Sequence, residues 1–354
     1  MYARIMHDLS PEGRGEFNVK MKKKGLVSIV GVLALAMALS FALVGCGGSG
    51  NSSASSSADN GGSLRFVTGG ESGTYYAFGS VIAQHATNNT DVSVTAASSG
   101  GSQANIQELE DGTAELGFAQ SDVMAYAYDG TNLFEGKPVT TFSTLGALYQ
   151  EQVQIVTCDP SITSVADLAG KNVSIGAAGS GVYFNAIDIL GAYGLSESDI
   201  NPTYQSFGDS ADALKDGKID AAFIVAGAPT TAITDLSTTK TAYLISLDQA
   251  HIQQLIAENN FYSEAVIPAG TYAGQTNDVV TVGVDAVIIV DNAVSEEDVY
   301  ALTADIFDNA PDLIENHAKY AEISLEKGAS VASVPYHPGA AKYFAEKNIT
   351  VPTK

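Results

Sequence analysis

Val67-Thr68-Gly69-Gly70-Glu71-Ser72-Gly73-Thr74-Tyr75-Tyr76 is the stretch whose reading decides the fold. A strand-like run from Leu64 to Thr68 breaks at two glycines and enters a helical pattern with Phe78, Val81, Ile82 and Ala86 on one face. Such a turn leaves backbone N–H groups without partners and aims the positive end of a helix dipole at them. The glycines let backbone approach a ligand closely, and Ser72 or Thr74 is placed to cap the helix. Taken alone, the pattern reads equally as a tight βα turn.

The chain contains it twice. Asn172-Val173-Ser174-Ile175 reads as a strand, Gly176–Gly181 as a Gly-rich loop and Val182–Leu190 as a helix start. Ser72-Gly73-Thr74-Tyr75-Tyr76 aligns with Ser180-Gly181-Val182-Tyr183-Phe184 at an offset of 108. Leu109-Glu110-Asp111-Gly112 aligns with Leu214-Lys215-Asp216-Gly217 at an offset of 105. Two matches at nearly one offset predict two α/β lobes of similar topology, with a single doubly wound sheet as the alternative.

Between the repeats, Val92, Val94 and Ala96 alternate with polar residues as in a half-buried strand, followed by Ser98-Ser99-Gly100-Gly101-Ser102 and a helix. Glu115–Ala119 reads as the next strand and runs into Gln120-Ser121-Asp122. Leu145–Thr157 holds two apolar runs around Gln150-Glu151-Gln152, a crossing between domains. Val279–Val290 is long enough to return through a hinge. Lobe 1 is therefore expected at 64–150 plus 280–354 and lobe 2 at 151–279. Helices are expected at Glu296–Phe307, Pro311–Lys319 and from Ala340 onward.

The N-terminus points to export. Lys22, Lys23 and Lys24 precede an apolar run from Leu26 to Val44, which ends at Leu43-Val44-Gly45-Cys46. This is the pattern of a secretory signal peptide spanning 1–45, an uncleaved membrane anchor being the alternative. The cysteine after Leu-Val-Gly resembles a bacterial lipobox, which implies cleavage before Cys46 and a diacylglycerol on its sulfur. Residues 1–20 fit neither scheme, and Met21 reads as the more natural start. Residues 46–63, rich in Ser and Gly, form a polar tether.

The formal net charge is −23, and residues 1–45 hold six basic and three acidic groups, so the exported part carries −26. That charge argues against nucleic acid and against a basic membrane-surface patch. Arg65 is the only arginine after residue 45 and stands at the head of the first strand, away from strand C-terminal ends where ligand loops lie. It reads as structural or solvated. Cys158 has no disulfide partner once Cys46 is lipidated and reads as a small buried residue. His85, His251, His317 and His337 are scattered, so spacing draws no metal site, and no cofactor is expected.

Gly69-Gly70 through Gly73-Thr74-Tyr75-Tyr76, Gly101-Ser102 with Asn105, and Asp111-Gly112 before Gln120-Ser121-Asp122 carry a family resemblance. Gly179-Ser180-Gly181, Gly227-Ala228-Pro229 and His337-Pro338-Gly339-Ala340 complete it. In their order and spacing these pieces resemble the TAXI family of TRAP-transporter solute-binding proteins, from Leu64 to the C-terminus. The resemblance implies a type II periplasmic-binding-protein fold that closes by a hinge on a central cleft. It further implies a monomeric, extracytoplasmic, lipid-anchored receptor. Its small carboxylate ligand would be a glutamate- or glutamine-like amino acid or a 2-oxo acid. The implied partner is a TRAP permease driven by an ion gradient. Val182 departs from the pattern, since the family more often has threonine there.

On that reading the ligand-binding residues are Gly70, Ser72, Gly73, Thr74, Tyr75, Ser99, Gly100, Gln120, Gly179, Ser180, Gly181, Val182 and Pro229. Backbone N–H groups, hydroxyls and the Gln120 amide would hold a carboxylate in a lobe poor in arginine. Glu71 would suit an ammonium only if it pointed inward, and solvent exposure is its expected state. Tyr75 serves equally as cleft lining or helix-face core. Two rivals remain: a ligand-sensing lipoprotein, and an enzyme on the same two-lobe fold. For the enzyme, neither Ser-Gly loop continues into Gly-Lys-Ser/Thr and no histidine lies in a candidate loop. His337, before Pro338-Gly339, reads as a turn cap.

Overall fold

The computed structural model describes residues 63–354. The expected signal peptide, Cys46 and all but the last residue of the tether lie outside the described residues. The first repeat comprises β1 (Leu64–Val67), α1 (Thr74–Asn89), β2 (Val94–Ala97), α2 (Ser102–Glu110) and β3 (Leu116–Gln120). β1 pairs in parallel with both β2 and β3, so each connection must cross over through a helix. α3 (Ser121–Asp129) follows, and then the 16-residue strand β4 (Phe142–Thr157).

The second repeat comprises β5 (Asn172–Ser174), α4 (Val182–Ala192), β6 (Asn201–Thr203), α5 (Phe207–Lys215) and β7 (Ala221–Ala226). Again the first strand pairs in parallel with the other two. Thr74 and Val182 open matching helices 108 residues apart, and Ser102 and Phe207 open matching helices 105 apart. The two sequence offsets are thus offsets of structure.

The chain continues through α6 (Thr231–Thr239), β8 (Tyr243–Leu244), α7 (Gln249–Glu258), β9 (Ser263–Ile267) and β10 (Val279–Asp291). It ends with α8 (Glu296–Asp308), the single turn α9 (Leu325–Gly328) and α10 (Pro338–Glu346). Sheet order is β2-β1-β3-β10-β4-β7-β5-β6, with β8 on β4 and β9 on β10. Two parallel trios therefore flank a central antiparallel pair, β10 and β4.

Hydrogen bonding runs through the whole sheet, yet the apolar core divides. Phe66, Phe78, Phe118, Leu148, Ile288 and Phe344 belong to one cluster. Val173, Ile189, Phe223 and Val284 belong to a second, and Val156, Ile224 and Ile233 to a third. Along β4 the cluster changes between Tyr149 and Val153, and along β10 between Val284 and Ala286. The fold is α/β with two lobes, and two long strands cross between them. β4 continues through Gln150-Glu151-Gln152 because β10 pairs with all three residues there, and β7 joins on the other side from Gln152.

Some local expectations change. Gly73, not Ser72 or Thr74, is the N-cap of α1. Arg65 lies inside β1, where its guanidinium pairs with Glu108 and donates to the Thr113 carbonyl at 3.0 Å. Cys158 is half-buried, just past the end of β4. Pro311–Lys319 is no helix: short 3-10 turns at Ala310–Leu313 and Ala318–Glu322 flank an extended His317 whose ring accepts from Lys319 N. His337 does cap α10, its ring accepting from Gly339 N at 3.2 Å. Glu71 is exposed.

Candidate functional site

Four helices open onto one cavity. The N-termini of α1, α2 and α4 are capped by Gly73, Gly101 and Gly181, none of which offers a side chain to the first-turn N–H groups. Ala104 N in the first turn of α2 is spent on the Gly179 carbonyl and Phe184 N in that of α4 on the Gly181 carbonyl. The other first-turn donors stay available, and the dipole of each helix favours negative charge there. Gly101 holds φ at +106°, a conformation that L side chains avoid. α5 differs, since the hydroxyl of its cap Ser206 accepts from Asp209 N.

The cavity measures about 70 Å³. On that scale one water needs about 10–15 Å³, so the space fits a handful of waters or one small metabolite. Of the residues proposed from the sequence, Gly70, Gly73, Thr74, Tyr75, Ser99, Gly100, Gln120, Ser180, Gly181 and Val182 line it. Ser72, Gly179 and Pro229 do not. The Ser72 hydroxyl stands against Gly208, and its carbonyl accepts from Ala232 N at 3.2 Å. The Gly179 carbonyl accepts from Ala104 N at 2.9 Å. Pro229 faces a neighbouring cavity beside Lys319.

Several of these contacts join the first repeat to the second. Besides the two backbone bonds, Thr74 Oγ1 donates to the Gly227 carbonyl at 2.9 Å and Gln120 Nε2 to Asn185 Oδ1 at 3.0 Å. The cavity thus lies between two lobes that touch around it.

Sequence reasoning missed its most polar lining residue. Glu151, at the middle of β4, is only 2% exposed and accepts from the Tyr75 hydroxyl at 2.7 Å. Burial pushes its carboxyl up to about 8, although the Tyr75 hydrogen bond and Lys319 pull the other way. Lys319 is itself engaged, in an ion pair with Glu322 and 5.3 Å above the Tyr149 ring. Tyr75 both lines the cavity and packs, its ring stacked on Phe118 at 4.5 Å. Ser102, Ser206, Phe207 and Val225 are further lining residues absent from the expected set.

Two side-chain oxygens facing this region have no protein partner among the described residues: Gln120 Oε1 and Ser180 Oγ. The orientation of Gln120 follows from a chain of bonds behind it. Its amide nitrogen donates to Asn185 Oδ1, and Asn185 Nδ2 donates to Asp122 at 2.9 Å and to the Tyr262 hydroxyl at 2.8 Å. Asn185 cannot turn over without losing both acceptors. The carbonyl end of Gln120 is therefore the end turned toward Gly181. Burial raises Asp122 to about 7, with Asp188 adding to the effect and Asn185 opposing it.

Among the described residues no group of His, Cys, Asp and Glu is arranged to hold a metal ion. No helix there is long and apolar enough to cross a membrane.

A solved protein of Bordetella bronchiseptica RB50 is similar over 80% of this chain and 88% of its own, at 15% identity and a TM-score of 0.50. The alkanesulfonate-binding protein SsuA of Xanthomonas axonopodis pv. citri, solved with MOPS, is 18% identical over 80% of this chain and 83% of its own, at a TM-score of 0.47. The periplasmic aliphatic sulphonate binding protein SsuA of Escherichia coli is 16% identical over 80% of this chain and 78% of its own, at 0.43. At such identities the likeness concerns the fold. Residues 66–347 match the family model as well, and with that span the chain belongs to the NMT1-like family.

Proposed function

We propose that the protein is the extracytoplasmic solute-binding component of a membrane transporter and captures a small carboxylate between two lobes. The observation that carries this reading is the convergence of three glycine-capped helix N-termini on one cavity. Backbone donors with favourable dipoles do there what an arginine fork does elsewhere. The lobes on this reading are 64–150 plus 280–354 and 151–279, hinged on β4 and β10. Donors from both lobes reach one molecule only when the lobes meet, so ligand shifts an open–closed equilibrium. The protein acts by binding and release, without turnover.

The finer parts of the proposal rest on the sequence. The lipobox-like Leu43-Val44-Gly45-Cys46 supports a lipid anchor on Cys46 outside the cell membrane. The resemblance to TAXI proteins supports a TRAP permease as partner and a monomeric receptor. Calorimetry against a panel of small carboxylates, paired with small-angle scattering, tests capture and closure. A panel without binders rejects the carboxylate. Uptake into vesicles holding the permease separates the partners: loss with an ionophore supports TRAP, and a requirement for ATP overturns it. Binding that never leads to uptake favours the sensing lipoprotein.

A further inference from the structure

The internal repeat brings four helix starts to the cavity, and one of them has changed character. Ser102 opens α2 and Phe207 opens α5, at the offset of 105. In the first repeat the cap is Gly101, and the Ser102 hydroxyl lines the cavity and accepts from Gln120 N at 3.1 Å. In the second the cap is Ser206, whose hydroxyl accepts from Asp209 N at 3.2 Å and donates to Asp209 Oδ2 at 2.6 Å. α5 thus spends a first-turn donor on its own cap. It also sets the Asp209 carboxylate beside its N-terminus, which disfavours a second negative charge there. Where the first repeat presents a hydroxyl, the second presents an aromatic ring.

That ring is held from both sides. Phe207 is half-buried and packs against the second and third apolar clusters. Across the cavity it meets the first repeat at Gly73, where a β-carbon would lie 3.3 Å from both Cδ2 and Cε2 of the ring. The next residues along each chain approach as well, since a β-carbon on Gly208 would lie 3.2 Å from Ser72 Oγ. Val182, Val225 and Ala226 continue the apolar lining, all three buried. Overfilling a packed site forces side chains off their rotamers, and one methylene in an apolar pocket is worth about 10–200-fold in affinity.

We propose that Phe207 is the size filter of the cavity: its ring spans the gap between the repeats and sets the largest solute that the lobes can enclose. The proposal rests on the solute-capture reading above and names the residue that sets its selectivity. The glycine-capped starts of α1, α2 and α4 do not depend on the ring. A shorter side chain at 207 therefore widens the set of accepted solutes and leaves the backbone donors in place.

The test is calorimetry on wild type and Phe207→Ala with two homologous series. One is the straight-chain 2-oxo acids from pyruvate to 2-oxooctanoate, and the other is the monoalkyl phosphates from methyl to hexyl, anions that helix N-termini also hold. Wild type is expected to show a cut-off, a point at which one added methylene costs about tenfold or more. Phe207→Ala is expected to move that cut-off at least one methylene further and to bind the first excluded homologue about tenfold better than wild type. A cut-off that stays in place, or a variant that weakens every member equally, overturns the filter and leaves the carboxylate reading standing. A shifted cut-off among the phosphates alone supports the filter and overturns the carboxylate. A wild type that binds a whole series evenly overturns the filter, and two series without a binder overturn both. Phe207→Leu, which keeps apolar bulk for folding, is expected to shift the cut-off in the same direction by less.

Discussion

Gln120 on β3 and Asn185 on α4 share a hydrogen bond of 3.0 Å that ties the first repeat to the second behind the cavity. Asn185 is fully buried, accepts from Gln120 with its oxygen and spends both hydrogens of its amide nitrogen on Asp122 and the Tyr262 hydroxyl. Asn185→Ala strands two polar groups, Gln120 Nε2 and Asp122 Oδ2, while the Tyr262 hydroxyl keeps Asp188 at 3.0 Å. Each costs about 1–3 kcal/mol when buried without a partner, so a stability loss of about 3 kcal/mol is expected in urea titration. A loss under about 1 kcal/mol would show that the pair does not hold this junction.

Gly181→Ala should abolish ligand binding and leave the fold intact. The added β-carbon would meet Gln120 Oε1 at 1.7 Å, and Gln120 cannot retreat without giving up Asn185. Calorimetry should show no measurable heat while the circular dichroism spectrum matches wild type. Retained affinity would mean that Gln120 moves freely.

Thr74 and Ser180 should fail differently. The Thr74 hydroxyl is spent on the Gly227 carbonyl, whereas the Ser180 hydroxyl is free to meet a ligand. Each alanine variant is expected to lose about tenfold in affinity, equivalent to one ordinary hydrogen bond of about 1–1.5 kcal/mol. Scattering should then show a larger radius for ligand-saturated Thr74→Ala only. Identical radii for both variants would remove Thr74 from the closing latch.

Stability of the ligand-free protein should fall as pH rises. Glu151 and Asp122 have carboxyls raised to about 8 and about 7, from ordinary values of 4.5 and 3.8. Between each ordinary value and its raised value the folded chain holds a proton that the unfolded chain has released. The unfolding free energy therefore drops through that window, by up to about 1.4 kcal/mol per pH unit for each group, and flattens above about pH 8. Urea titrations from pH 5 to 8 should trace the decline, and Glu151→Gln should make it shallower. A flat profile would contradict the burial of these acids.

The repeated βα turns were legible because two matches recur at nearly one offset, and because glycine has a reason at each helix start: a positive φ at Gly101 and the close approach of Phe207 to Gly73 and of Gln120 Oε1 to Gly181. The lining hydroxyls followed from their place at helix starts. Glu151 was not legible. Gln150-Glu151-Gln152 interrupts an apolar run and reads as a crossing, whereas β4 passes straight through with its central carboxyl turned into the cavity. A charged residue at the middle of a long apolar strand was the signal. Pro229 misled for the opposite reason: it sits next to Gly227, which meets Thr74, yet faces away from the ligand space. The tail beyond Pro311 obeys local bonds such as His317 to Lys319, which no periodicity reveals.

The three glycine-capped helix ends divide the labour of recognition between kinds of atoms that evolve at different speeds. Main-chain nitrogen cannot be exchanged by a codon change, so the donor end of the cavity is common property of any sequence that keeps this backbone. Preference for one ligand over another then falls to a few side chains, Glu151 and Gln120 foremost. An engineer wishing to redirect the proposed receptor toward another solute could leave the loops alone and edit one residue on each of two strands, Gln120 on β3 and Glu151 on β4.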